Sequence, residues 1–179
     1  MSRTELYQVK INGDVEWVAD FRNSHGSAMM IWNALHREYF GRDFPLGDVP
    51  QDFWDLQSSP RLQWYETNSF LSTFDLVIVR ASDLRLMSAS FLAFADRYQQ
   101  DGRACSLRDQ ASTLDRFGLP GEGLQDTAGV CWNQTSVNCN PWQVDSICAT
   151  CGNPDDGEAR PWNINKDTNH WFADLKAKT

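Results

Sequence analysis

Residues 7 to 21 carry two period-two apolar runs joined by a glycine turn. Tyr7, Val9 and Ile11 alternate with polar residues, Asn12-Gly13 follows, and Val15, Trp17, Ala19 and Phe21 alternate again. Alternation separates the two faces of a strand, and Asn-Gly supplies two residues that both reach positive φ readily. The stretch therefore reads as a β-hairpin. Its apolar side, Val15, Trp17 and Ala19, needs a cover.

Helices are expected to supply it. Asn23, Ser24 and Ser27 are candidate N-caps, and Ala28, Ile31, Trp32, Leu35 and Tyr39 then recur at helical spacing up to Gly41. This predicts a helix over 26–40. A second is predicted over 83–99, capped by Ser82-Asp83, with Leu84, Met87, Phe91, Phe94 and Tyr98 as its stripe. A third starts at Ser106, with Leu107, Ala111, Leu114 and Phe117 on one side, and ends before Gly118 and Pro120. Residues 42–60 contain three prolines and read as a loop with one helical turn at 52–56. Strands are expected at 62–66, at 74–81 (apolar on both faces and so central), and at 130–137, with a last short element at 171–175.

The fold expected is α+β: a single domain with a mostly antiparallel sheet starting with the N-terminal hairpin, two to three packed helices and a loop-rich C-terminal lobe. Residues 1–120 form the core, and the lobe of 121–179 packs on it. Trp17, Ile31, Leu35, Ile78, Phe91 and Phe94 are the residues expected to be buried.

That lobe has an unusual composition. Between Gly129 and Trp171 lie four of the five cysteines and four of the eight tryptophans, with few aliphatic residues. Such a segment leans on the rest of the chain, on a metal or on a ligand. Cys148-Ala149-Thr150-Cys151-Gly152 has the form of a zinc knuckle, whose glycine lets backbone N–H groups face the thiolates. Cys131 and Cys139 are the candidates for completing a four-thiolate zinc site, although their spacing makes no second knuckle. Redox catalysis is disfavoured, because Gly152-Asn153-Pro154 leaves no helix N-terminus to activate a thiol. Indoles next to amides, at Trp142, at Trp162-Asn163 and at Trp171, could line a small-molecule or nucleotide pocket, or fasten the lobe to the sheet.

Charge narrows the partner. The 24 acids exceed the 16 bases, for a net charge of −8, which opposes direct binding to duplex phosphate and suits a basic protein partner. Asp43, Asp48, Asp52 and Asp55 occupy a stretch free of Lys and Arg and form the candidate partner-binding surface. No run approaches the 18 apolar residues of a membrane span, and no apolar leader core follows Met1, so a cytoplasmic protein is expected. His25, His36 and His170 fall in no catalytic spacing, and no nucleotide-loop or nucleophile-elbow motif occurs.

Three readings result. The first is a cytosolic acidic binding protein that occupies a macromolecular partner, in the style of phage or mobile-element inhibitors and accessory proteins of nucleic-acid-handling machinery. The second is a small-molecule or nucleotide binder, or an enzyme, with its pocket at Trp142, Trp162, Asn163 and Trp171. The third is a zinc-stabilised structural protein. Enzymatic activity has no positive support in the sequence, and the oligomeric state is not written there.

Overall fold

A five-stranded sheet in the order β2-β1-β4-β3-β7 organises the chain, antiparallel except for the β3–β7 pair. The computed structural model describes residues 3–22, 28–45, 49–98, 105–117, 126–133, 143–145, 150, 157, 159–167 and 169–179. Its strands are β1 (Arg3–Lys10), β2 (Val15–Arg22), β3 (Val77–Arg80), β4 (Thr127–Asn133), β5 (Gln143–Asp145), β6 (Ala159–Pro161) and β7 (Trp171–Phe172). Its α-helices are α1 (Ala28–Phe40), α2 (Gln51–Asp55), α3 (Trp64–Leu71), α4 (Leu84–Arg97) and α5 (Cys105–Phe117). β5 and β6 form a separate antiparallel pair. The architecture is the expected α+β domain.

The three long helices follow their apolar stripes. Ile31 and Leu35 of α1, Met87, Phe91 and Phe94 of α4, and Leu107, Ala111 and Leu114 of α5 are all buried. They meet Leu6, Val77, Val79, Val130 and Trp132 on one face of the sheet and form the main core. Ile78 turns the other way, into a second cluster with Tyr7, Val9, Val15, Cys131 and Trp162. β3 is therefore apolar on both faces, as expected. β4 lies so close to β3 that a Cβ on Gly129 would stand 2.8 Å from Ile78 Cγ2 and strike the Val79 carbonyl.

The hairpin forms but departs from expectation in two ways. Its loop is longer: Gly13 N–H donates to Lys10 O at 2.9 Å and Lys10 N–H to Asp14 O at 2.8 Å. Gly13 has φ +92°, while Asn12 is not among the residues with positive φ. This is the three-residue loop in which a tight turn is followed by one left-handed glycine. The second departure is a β-bulge. Tyr7 pairs with Trp17 and Leu6 with Ala19, so Val18 has no register partner. An extra residue reverses the alternation. Val15 faces the second cluster, whereas Val18 and Phe21 pack on the main core. Val15, Trp17 and Ala19 thus do not share one buried side, and Trp17 is 59% exposed, not buried.

Residues 62–66 also differ. Instead of a strand, Leu62 enters the core and Gln63 caps α3. Gln63 and Glu66 form a capping box, the Glu66 carboxylate accepting from Gln63 N–H at 2.8 Å. At the start of α4, Asp83 makes no side-chain capping bond, because Ala81–Asp83 already turn as a 3-10 helix. Among the described residues, no helix is long and apolar enough to cross a membrane.

Candidate functional site

The acidic segment sits on an aromatic platform. Phe44 and Phe53 are buried, their rings 5.0 Å apart, and Phe53 also meets Phe70 at 5.2 Å and Trp54 at 5.1 Å. Trp32 stacks on Phe44 at 5.3 Å and donates its indole N–H to Thr73 Oγ1 at 2.8 Å. Ring contacts on this scale fix the backbone that carries them. Asp43 precedes Phe44, and Asp52 and Asp55 flank Phe53-Trp54 on α2, all three exposed. Asp48 lies outside the described residues.

Their charge is not wholly free. Arg37, in the last turn of α1 six residues earlier, pairs with Asp43 at 2.5 Å, and this hydrogen-bonded guanidinium holds the Asp43 carboxyl below its ordinary range. The pair is solvated, so it is worth little to stability. Asp55 accepts from the Gln51 amide at 3.0 Å. Two of the acids predicted from an uninterrupted run are thus tied locally, one of them to a cation that the linear sequence places outside the run.

In the Trp/Asn-rich lobe the described side chains hold the chain together. Trp162 is 3% exposed in the second core cluster, and Asn163 is buried. Asn163 Nδ2 donates to Asp14 Oδ1 at 2.8 Å, its Oδ1 accepts from Asn165 N–H at 2.9 Å, and its own N–H donates to Asp167 at 2.7 Å. Asp167 receives both Arg160 guanidinium nitrogens, at 3.1 and 2.9 Å. That fork, aided by the Asn163 N–H, holds the Asp167 carboxyl below its ordinary range, although burial pushes the other way. Trp171 is 44% exposed. Trp142 lies outside the described residues, so the four candidate pocket residues are not seen together.

The proposed thiolate set is likewise only partly seen. Cys131 is in β4, wholly buried among apolar side chains, a free thiol whose Sγ lies 3.9 Å from the Tyr7 carbonyl. Burial pushes its pKa up, which opposes the thiolate form a zinc ligand needs. Cys139, Cys148 and Cys151 lie outside the described residues. Among the described residues, no three His, Cys, Asp or Glu side chains converge as a metal site. His36 is buried and donates Nδ1–H to Arg42 O at 2.7 Å, as a helix-closing contact.

One polar constellation was not anticipated. Glu66, 2% exposed, accepts from Tyr39 Oη at 2.6 Å and also from Tyr98 Oη. It thereby joins α1, α3 and α4. Burial first, then the bond to Glu66, raises both phenol pKa values. Arg61 and Arg97 lie over the two phenol rings, 5.0 and 5.2 Å from the centroids. Both hydroxyls are already engaged by Glu66, so the cluster fits a structural tie better than proton transfer to a substrate. Its sequence signal was Gln63-x-x-Glu66, hidden by reading 62–66 as a strand.

Comparison with protein-family models, with curated proteins and with solved structures gives no match.

Proposed function

We propose that this protein acts by binding, occupying a basic macromolecular partner through the acidic surface of Asp43, Asp48, Asp52 and Asp55. The observation that carries the reading is the platform: the exposed carboxylates of Asp43, Asp52 and Asp55 beside Phe44, Phe53 and Trp54, whose ring contacts fix the backbone there. A fixed array of like charges speeds encounter with a complementary surface and selects its register. The net charge of −8 acts in the same direction. A nucleic-acid-handling protein is the partner class this suits, since such proteins carry basic clefts. A reducing, cytoplasmic setting fits the free Cys131 thiol.

The test uses two baits, the native protein and one with the four aspartates replaced by asparagine. A partner retained by the first, lost from the second and released as salt rises supports the reading. Identical captured sets overturn it. Metal analysis of the purified protein decides the zinc role separately: zinc that disappears on replacing Cys148 and Cys151 by serine supports it, and absence of zinc removes it.

A further inference from the structure

The turn of the N-terminal hairpin holds the one Asn-Gly pair in the sequence, Asn12-Gly13. Such a pair is chemically labile in water. The backbone nitrogen after an asparagine can attack the side-chain amide carbon, and a glycine there has no Cβ to hinder the approach. Asn12 is exposed, so water and base reach it. Yet the groups that would react are all held. Asn12 Nδ2 donates to Asp14 Oδ2 at 2.8 Å, and Asn12 Oδ1 accepts from Asp14 N–H at 3.0 Å. The Gly13 N–H, whose nitrogen is the nucleophile, donates to Lys10 O at 2.9 Å.

The C-terminal lobe completes the restraint from the other side. The peptide plane between Asn12 and Gly13 is pinned at both ends, its N–H on Lys10 O and its carbonyl on Asn165 Nδ2 at 2.8 Å. The next carbonyl, Gly13 O, accepts from Ile164 N–H at 2.9 Å, and Asp14 Oδ1 accepts from Asn163 Nδ2 at 2.8 Å. Ring closure needs the Asn12 side chain to leave Asp14. It also swings the Gly13 nitrogen under the Asn12 Cβ, a backbone rotation outside the usual wells. That rotation carries the Asn12 carbonyl away from Asn165. Residues 163–165 therefore hold the parts that must turn, and the pair becomes reactive when they let go.

We propose that Asn12 is a deamidation site gated by the docking of residues 163–165. The Gly13 nitrogen bonds to Asn12 Cγ and gives up its proton, the Cγ–Nδ2 bond breaks, and Nδ2 leaves as ammonia. Water then opens the cyclic imide, either to aspartate or to isoaspartate, in which the main chain runs through Cγ. No oxidant or reductant takes part. Both products replace the Nδ2 donor by a carboxylate beside Asp14, and the like charges repel. Isoaspartate also lengthens the main chain and displaces the carbonyl that Asn165 holds. The lobe redocks less well after the reaction than before it, so the turn records undocking as a one-way chemical mark. The acidic face around α2 plays no part in this inference.

The experiment incubates the full-length chain at mildly alkaline pH and follows Asn12 by peptide mapping with mass spectrometry, isoaspartate being scored with an isoaspartyl methyltransferase. Asn165→Asp keeps the side chain's size and removes the donor to Asn12 O, and Asn163→Ala removes the donor to Asp14. Each is expected to deamidate at Asn12 at least about fivefold faster than the native chain, the factor carried by one ordinary hydrogen bond. The urea-unfolded chain sets the upper limit. Phe91→Ala costs the fold more than a single hydrogen bond does but leaves the junction intact, so it is expected to react at the native rate. Hydrogen exchange at the Gly13 amide should rise in the junction variants alone. Circular dichroism checks folding, and Asn165→Asp, altered at an exposed side chain, carries the comparison if Asn163→Ala does not fold. Equal rates for the native chain and Asn165→Asp overturn the proposal, as do equal rates for native and unfolded chains. Acceleration by Phe91→Ala as large as that by Asn165→Asp would make global unfolding the route and overturn the gating by the lobe.

Discussion

Asn163 donates its side-chain amide to the Asp14 carboxylate at 2.8 Å, joining the turn of the N-terminal hairpin to a loop 149 residues further along the chain. Three more bonds secure the junction: Ile164 N–H to Gly13 O at 2.9 Å, Asn165 Nδ2 to Asn12 O at 2.8 Å, and Asn165 N–H to Asn163 Oδ1 at 2.9 Å. The asparagines of the lobe here serve as fasteners for main-chain groups that the hairpin loop leaves open.

Gly13 is the position where that junction is most sensitive. A Cβ there would lie 2.8 Å from Asn163 Oδ1 and collide with the Asn165 amide. Its φ of +92° adds roughly 1–2 kcal/mol of strain for any other residue. Gly13→Ala is expected to lower the thermal midpoint and raise hydrogen exchange at the Ile164 amide. Unchanged exchange there would mean that the lobe does not depend on the turn.

Replacing Glu66 removes the acceptor of two phenols and of the Gln63 N–H. Hydrogen bonds to a charged group contribute about 1.5–3 kcal/mol each, so Glu66→Leu is expected to cost at least about 3 kcal/mol in urea unfolding. Tyr39→Phe and Tyr98→Phe should each cost less, and their effects should be non-additive because they share one carboxylate. Strict additivity would count against a shared network.

Alkaline pH provides an independent reading of the same cluster. Tyr39 and Tyr98 have folded pKa values above the ordinary 10.0, chiefly through burial and then through Glu66. The folded state therefore holds protons that the unfolded state releases, and stability falls as pH rises above about 10. Native protein should show a delayed phenolate absorbance rise that coincides with unfolding. Tyr39→Phe/Tyr98→Phe should flatten the alkaline decline, and an unaltered profile would refute the assignment.

Phe91 is fully buried, its ring edge-on to Trp132 with centroids 5.9 Å apart. It fastens α4 to β4. Phe91→Ala is expected to cost about 3–5 kcal/mol, the usual loss for a buried aromatic, measured by chemical denaturation. A loss below about 1 kcal/mol would mean that the helix–sheet contact is not where the main core is held.

The sequence by itself determined the elements whose signal is local. The stripes of α1, α4 and α5 recur every three or four residues, and Val77-Ile78-Val79 is apolar at every position, so helix faces and a two-sided strand were readable. Composition also gave the net charge and the crowding of indoles and amides in the last third. Tertiary structure decided the rest, because its determinants are contacts that apolar periodicity does not encode, some across a turn and some between distant segments. The bulge at Val18 that sends Trp17 to solvent depends on the register against β1. The α3 helix depends on a capping box and on Trp64, Asn68 and Phe70 finding burial beneath other segments. Arg37 meets Asp43, Glu66 gathers phenols from two helices, and Asn68 clamps a main chain 108 residues away. Periodicity reports which face of an element is buried; it carries no information about which distant polar group will come to rest beside another.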